Sequence, residues 1–224
     1  MKRLLTAAAA AAFSLGGFAH AAILNFATYA DDNAAKIANG AAGQNEVGGV
    51  ANGTVINFGT IDIRFSAENN GVAAFAYFDG SSGRTNNEAG LGVCNVINSS
   101  KQCRPAGDDN TQLEEVVTLD FLVGVVPVSV DLGGFTFRTA QHNALSGTVQ
   151  VAINGGSFVT MTTADLAMTN ALSGVSSIAF KAGSEEFYVE GFTVDDNNIT
   201  QVPLPAAVLL FAPFALGLAR RRRG

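Results

Sequence analysis

The chain has 224 residues, 48% hydrophobic and 14% charged, with 25 glycines, 16 phenylalanines, no tryptophan and a formal net charge of −6. All 19 Asp and Glu lie between residues 22 and 201 beside only seven Lys and Arg, so that stretch carries a net charge near −12. This excludes a general nucleic-acid binder, which needs basic stripes for phosphate, and the regular apolar content excludes a disordered chain. The 180 residues make one domain with an adequate core.

The chain opens as a secretory leader. Lys2 and Arg3 form a charged start, Leu4 to Phe18 is apolar and small, and Ala19-His20-Ala21 is an Ala-x-Ala cleavage site. Residues 1–21 are therefore read as a signal helix that signal peptidase removes, and the fold is expected in residues 22–200. The acidic body favours solubility, repulsion from anionic surfaces and cation binding.

Taken in order, the body reads as strands. Ile23 to Tyr29 is the first, and Asp31 to Ala42 is either a short helix capped by Asp31 or a loop. Gly43 to Gly53 is a Gly- and Asn-rich connector. Ile61 to Phe65 alternates apolar and charged residues, the mark of a half-buried strand. Val72 to Phe78 is apolar on both faces, and Asp79 to Asn87 is a polar loop. Val116 to Phe121 and Val126 to Leu132 alternate, with Pro127 at an edge or a strand start. Phe135 and Phe137 follow beyond Gly133-Gly134. Thr148 to Ile153 and Ser157 to Thr162 flank Asn154-Gly155-Gly156, a hairpin signal. A helix from Thr163 to Leu172 would be capped by Thr163, and Val175 to Phe180 and Phe187 to Val194 close the domain. Nine or ten short strands with little helix predict a mainly β fold, an antiparallel β-sandwich of jelly-roll type.

The chemistry-bearing residues are few. Cys94 and Cys103 lie nine apart in an exported chain, which predicts a disulfide closing a polar loop. Nucleophilic catalysis needs a nucleophile, a base and an orienting group. The body has one histidine, His142, in a polar stretch where a solvated loop residue is expected. No Gly-x-Ser-x-Gly, His-Glu-x-x-His, Cys-x-x-Cys or phosphate loop occurs. Asp-Asp-Asn occurs three times, from Asp31, Asp108 and Asp195, each in an expected loop, and Glu114-Glu115 and Glu185-Glu186 add acidic pairs. Clustered oxygen ligands in loops suit calcium, with Asp108, Asp109 and Glu115 as the candidate ligands; solvated loop acids are the other reading. A paired-carboxylate glycosidase normally has an aromatic-lined sugar cleft, and only Tyr29, Tyr77 and Tyr188 are present besides phenylalanine.

The last stretch, 201–224, says where the protein goes. Val202-Pro203-Leu204-Pro205-Ala206 is held extended by its prolines; an apolar run then reaches Ala219, and Arg220, Arg221, Arg222 and Arg223 follow. Ala206 to Ala219 would span roughly 21 Å as a helix, against roughly 30 Å of bilayer core. The short run and the Pro-x-Pro fit a transient anchor cut by an enzyme that reads the motif better than a permanent one, as in tails removed by glypiation. The positive-inside tendency keeps the arginines cytoplasmic, so the body lies on the far side of the membrane.

Motif, apolar run and arginine cluster together resemble the VPLPA-CTERM sorting signal, a variant of the PEP-CTERM class. The resemblance implies processing by an exosortase-type membrane enzyme in Gram-negative bacteria that make extracellular polysaccharide. It implies sorting and not an activity, since such tails follow unrelated bodies. Gly90 to Cys94, Gly107 to Asn110, Glu114-Glu115 and the Phe187 to Val194 strand also resemble bodies that accompany these tails, taken as secreted β-sandwiches. The expectation is an exported, non-catalytic cell-surface or matrix protein, transiently anchored in the inner membrane and associated with exopolysaccharide or biofilm. The alternative is a secreted glycan-binding or glycan-hydrolysing module.

Overall fold

The computed structural model describes residues 21–80 and 89–201. The leader helix, most of the Asp79 to Asn87 loop, the sorting motif Val202–Ala206, the apolar C-terminal helix and Arg220 to Arg223 lie outside the described residues. The expectation of a mainly β, antiparallel body holds, with thirteen strands and three short helices among the described residues.

The first strand, β1 (Ala21–Asn25), is shorter than the expected Ile23 to Tyr29. Asn25 turns the chain: its side-chain oxygen accepts from the Thr28 backbone nitrogen at 2.7 Å and caps α1 (Phe26–Asp31). The helix then buries Phe26, Ala27 and Ala30. Asp32, not Asp31, caps α2 (Asn33–Asn39), accepting from the Ala35 nitrogen at 2.8 Å. The connector that follows contains β2 (Gly48–Val50), and β3 (Thr54–Asn57) pairs with β4 (Asp62–Asn69). Ile61, Ile63 and Phe65 are buried as their alternation predicts.

Then come β5 (Val72–Asp79), β6 (Gly90–Cys94) and β7 (Glu115–Val123). The two segments expected around Gly133-Gly134 form one strand, β8 (Val126–Thr139), with Pro127 in the second pair from the turn, opposite Leu122. Gly133 lets the chain pass because another segment lies directly on it: a Cβ there would sit 2.4 Å from the Asn170 nitrogen. β9 (Thr148–Ile153) and β10 (Val159–Thr162) form the predicted hairpin. Thr162, not Thr163, caps α3 (Thr163–Leu166), which is one turn only. The expected Val175 to Phe180 strand is two: β11 (Leu172–Val175) pairs with β8, whereas β12 (Ser177–Lys181) pairs with β7 and β9. β13 (Phe187–Gln201) continues well past Val194, so Asp195-Asp196-Asn197 lies in a strand rather than a loop.

Six strands close a ring in the order β7, β4, β5, β6, β13, β8 and back to β7. β1 adds to β13, β2 to β5, β3 to β4, and β12, β9 and β10 extend from β7. Phenylalanine fills the interior: Phe26, Phe65, Phe78, Phe121, Phe135, Phe180, Phe187 and Phe192 are each buried. Phe26 sits edge-on to Phe58, Phe65, Phe78 and Phe192, with ring centroids 5.6–6.0 Å apart. Phe26→Ala is expected to lower unfolding free energy by about 3–5 kcal/mol in urea denaturation, whereas the half-exposed Phe158→Ala stays within about 0.5 kcal/mol.

Candidate functional site

Two strands of the ring are buried on both faces. β5 turns Ala76 and Phe78 into the core and Tyr77 and Asp79 outward; β13 turns Phe187 and Val189 inward and Tyr188 and Glu190 outward. The outward side chains are nonetheless buried: the loop closed by Cys94 and Cys103 lies over Tyr77, His142 lies against Asp79 and Tyr188, and Arg138 pairs with Glu190. That disulfide forms as expected, with Cα atoms 5.8 Å apart, and packs with Tyr77 and Ile97. The following segment lies on β6 itself, so close that a Cβ on Gly92 would meet the Asp109 carbonyl oxygen at 2.1 Å.

Between cover and strands runs a polar layer. The Tyr77 hydroxyl donates to Glu46 Oε1 at 2.6 Å and accepts from the Cys103 backbone nitrogen at 3.4 Å. Glu46 Oε2 accepts from the Gly80 nitrogen at 3.3 Å, and Glu46 also hydrogen-bonds Asp79. Asp79 Oδ2 lies 3.2 Å from His142 Nε2, and the His142 ring stands edge-on to Tyr188 at 5.4 Å. The Tyr188 hydroxyl donates to Asp109 Oδ1 at 2.8 Å. His142 is therefore not the solvated loop residue expected. The turn after β8 holds it at φ +63°, with its side chain only 16% exposed.

Burial sets the electrostatics of this layer. It pushes the Glu46 carboxyl well above the carboxylic range, with the Asp79 hydrogen bond and charge adding to it. Desolvation, then the Asp79 charge, raises Asp109. The Tyr77 and Tyr188 hydroxyls are raised too, first by burial and then by the neighbouring acids.

The candidate calcium ligands are divided. Asp108 and Glu115 meet at one amide: Asn95 Nδ2 donates to Asp108 Oδ2 at 3.2 Å and to Glu115 Oε1 at 2.8 Å. Glu115 Oε2 takes the Gln112 backbone nitrogen at 2.8 Å, and Asn69 Nδ2 reaches Oε1 at 3.3 Å. Burial pushes Glu115 up to about 7. Asp109 points instead to Tyr188. Among the described residues, no three His, Cys, Asp or Glu side chains are gathered so as to hold a metal. The partners of these three acids in the structure are amides, a backbone nitrogen and a tyrosine hydroxyl. Of the other acids, Glu114 pairs with Lys181 at 2.9 Å and Glu186 Oε2 accepts from Asn110 Nδ2 at 3.3 Å.

Beside the layer, Arg138 and Glu190 form an ion pair at the edge of a cavity of about 450 Å3, bordered by Thr136, Ser146, Thr163 and Ala164. The Glu46–Asp79 pair is not among its walls. The layer links the ring to the segments that cover it, through Glu46, Cys103 and Asp109. Among the described residues, no helix is long and apolar enough to cross a membrane. Comparison with known proteins finds no matching family model, no matching curated sequence and no matching solved structure.

Raised carboxyls fix the sign of the pH dependence. Glu46, Glu115 and Asp109 bind protons more tightly folded than unfolded, so their contribution is full below the ordinary carboxylic pKa and is lost as pH rises through the folded value. For Glu115 that window is 4.5 to about 7. The mature protein is expected to melt several degrees higher at pH 5 than at pH 8. Glu46→Gln, which keeps a donor for Asp79, should flatten much of that slope in thermal scans across the range.

Proposed function

We propose that this chain is an exported, non-catalytic cell-surface or matrix protein whose C-terminal tail is processed by an exosortase-type enzyme. Its body is a stable extracytoplasmic module, a β-sandwich of jelly-roll type, held transiently at the inner membrane and then associated with exopolysaccharide. The observation that carries this reading is the disulfide: both cysteines of the chain pair beneath a loop that covers a buried layer, a device suited to an oxidising compartment. The leader and the Val202 to Arg223 pattern support the same location from the sequence. Closing the loop contributes about 2.5–3 kcal/mol on the chain-entropy estimate. Intact mass of surface-extracted protein is expected to show an N-terminus at Ala22 and loss of Arg220 to Arg223. Retention of the arginines on mature surface protein would leave a plain anchor.

One observation favours the second reading, a glycan-binding module. The cavity beside Arg138 and Glu190 offers a guanidinium, a carboxylate and the hydroxyl residues Thr136, Ser146 and Thr163, groups that suit sugar hydroxyls. On that reading the mature protein binds a glycan array saturably, and Ala164→Phe, which fills the cavity from an exposed position, reduces binding at least tenfold. On the first reading no glycan exceeds background through this cavity, and Ala164→Phe changes nothing.

A further inference from the structure

Both ends of the described chain leave the ring on one side. In β1, Ala21 lies opposite Asp195 of β13. β13 then runs on until Gln201 lies opposite Val128 of β8. Val128 is two residues from Val126, where β8 begins at its hairpin with β7; there Leu122 faces Pro127 and Val123 faces Val126. At strand spacing the hairpin tip lies about 7–10 Å from the point where the chain passes into residues 202–219, and about 17 Å along β8 from the level of Ala21.

That tip is Val123-Gly124-Val125-Val126-Pro127, without a charge or a side-chain hydrogen-bonding group. Its valines are 45%, 88% and 38% exposed at positions 123, 125 and 126. Single exposed apolar residues mean little, but three in one turn form a patch. Of the acids nearest along the strands, Asp120 of β7 pairs with Arg64 at 3.8 Å, and two others accept from backbone nitrogens. Asp62 accepts from the Gly124 nitrogen at 2.8 Å and from Asn57 Nδ2 at 2.7 Å, and Asp131 accepts from the Gly174 nitrogen at 2.9 Å. The buried acids Asp79 and Asp109, with Glu190, lie toward the other end of the β8–β13 ladder, where Thr139 pairs with Phe187.

We propose that the Val123–Val126 turn is a lipid-contacting tip that seats the body on the bilayer while the tail is anchored. The proposal rests on the anchored-tail reading above. Its occupant is the headgroup and upper acyl region of a phospholipid membrane. The apolar run that follows the Val202–Ala206 motif just after Gln201 keeps that membrane within reach of the tip, and the tether supplies the effective concentration that three valines alone lack. Seated this way, the body keeps its acidic layer away from an anionic surface.

The test uses the full chain in phosphatidylethanolamine–phosphatidylglycerol vesicles. The only two cysteines are bonded to each other, so one added thiol takes one environment-sensitive fluorophore. Three variants are compared, Val125→Cys, Leu113→Cys just beyond the far end of β7, and Leu210→Cys in the tail, with a nitroxide-headgroup lipid as quencher. Quenching at positions 125 and 210, at least threefold above position 113, is expected. Quenching at 210 with position 125 no different from 113 overturns the tip and leaves the anchor standing. No quenching at 210 removes the anchor and the tip with it. A change at 125 that follows protein concentration and ignores the quencher lipid means a second copy covers the tip, and overturns the proposal. Val125→Asp in the protein labelled at Leu113→Cys should leave the melting temperature unchanged; an equal lipid-induced change at the position-113 label with and without Val125→Asp would also overturn it.

Discussion

The rest of this structure depends on filling a closed ring with phenylalanine. A six-stranded ring has no free edge of its own, but its interior must be packed to near-crystalline density or it collapses. Nine buried phenylalanines among the described residues, from strands on every side and from α1, meet mostly edge to face. Phe26 joins both walls, touching Phe65 and Phe78 on one and Phe192 on the other. This explains why β1 stops at Asn25. Continuing it as a strand would carry Phe26 away from the middle of the ring.

With the aromatic layer inside, the outer faces of β5 and β13 must be covered by something else, and the cover is polar. A buried carboxyl is costly unless it is neutralised or hydrogen-bonded, and this layer does both. Glu46, raised by burial, accepts from the Tyr77 hydroxyl and the Gly80 nitrogen, Asp109 accepts from Tyr188, and the disulfide holds the covering loop against Tyr77.

Alternation made β4 and β7 legible, because each buries one face: Ile61, Ile63 and Phe65, or Val117, Leu119 and Phe121. The disulfide was legible from spacing and the expected compartment. Boundaries set by single side chains were not, since Asn25 and Thr162 act as caps only once their helices have something to pack against. Nor was the break between β11 and β12, where Ser176 alone passes the chain from β8 to β7 and β9. The polar layer left a trace that alternation alone could not decode: Tyr77 with Asp79, and Tyr188 with Glu190, each two apart on the second face of a strand. Adjacency misled in the other direction. Asp108 and Asp109 are neighbours in sequence, yet one meets Asn95 and the other Tyr188.

The length of β13 has a mechanical consequence. The strand pairs with β8 along most of Phe187–Gln201 and with β1 from Gly191 to Asp195, and Gln201 is its last residue. A pull applied there runs along the strand axis, so many ladder hydrogen bonds bear the load at once instead of opening one after another. Resistance to such a pull is governed by the unfolding rate, not by equilibrium stability. A body held by this end and dragged by moving fluid or polymer is gripped through its strongest seam.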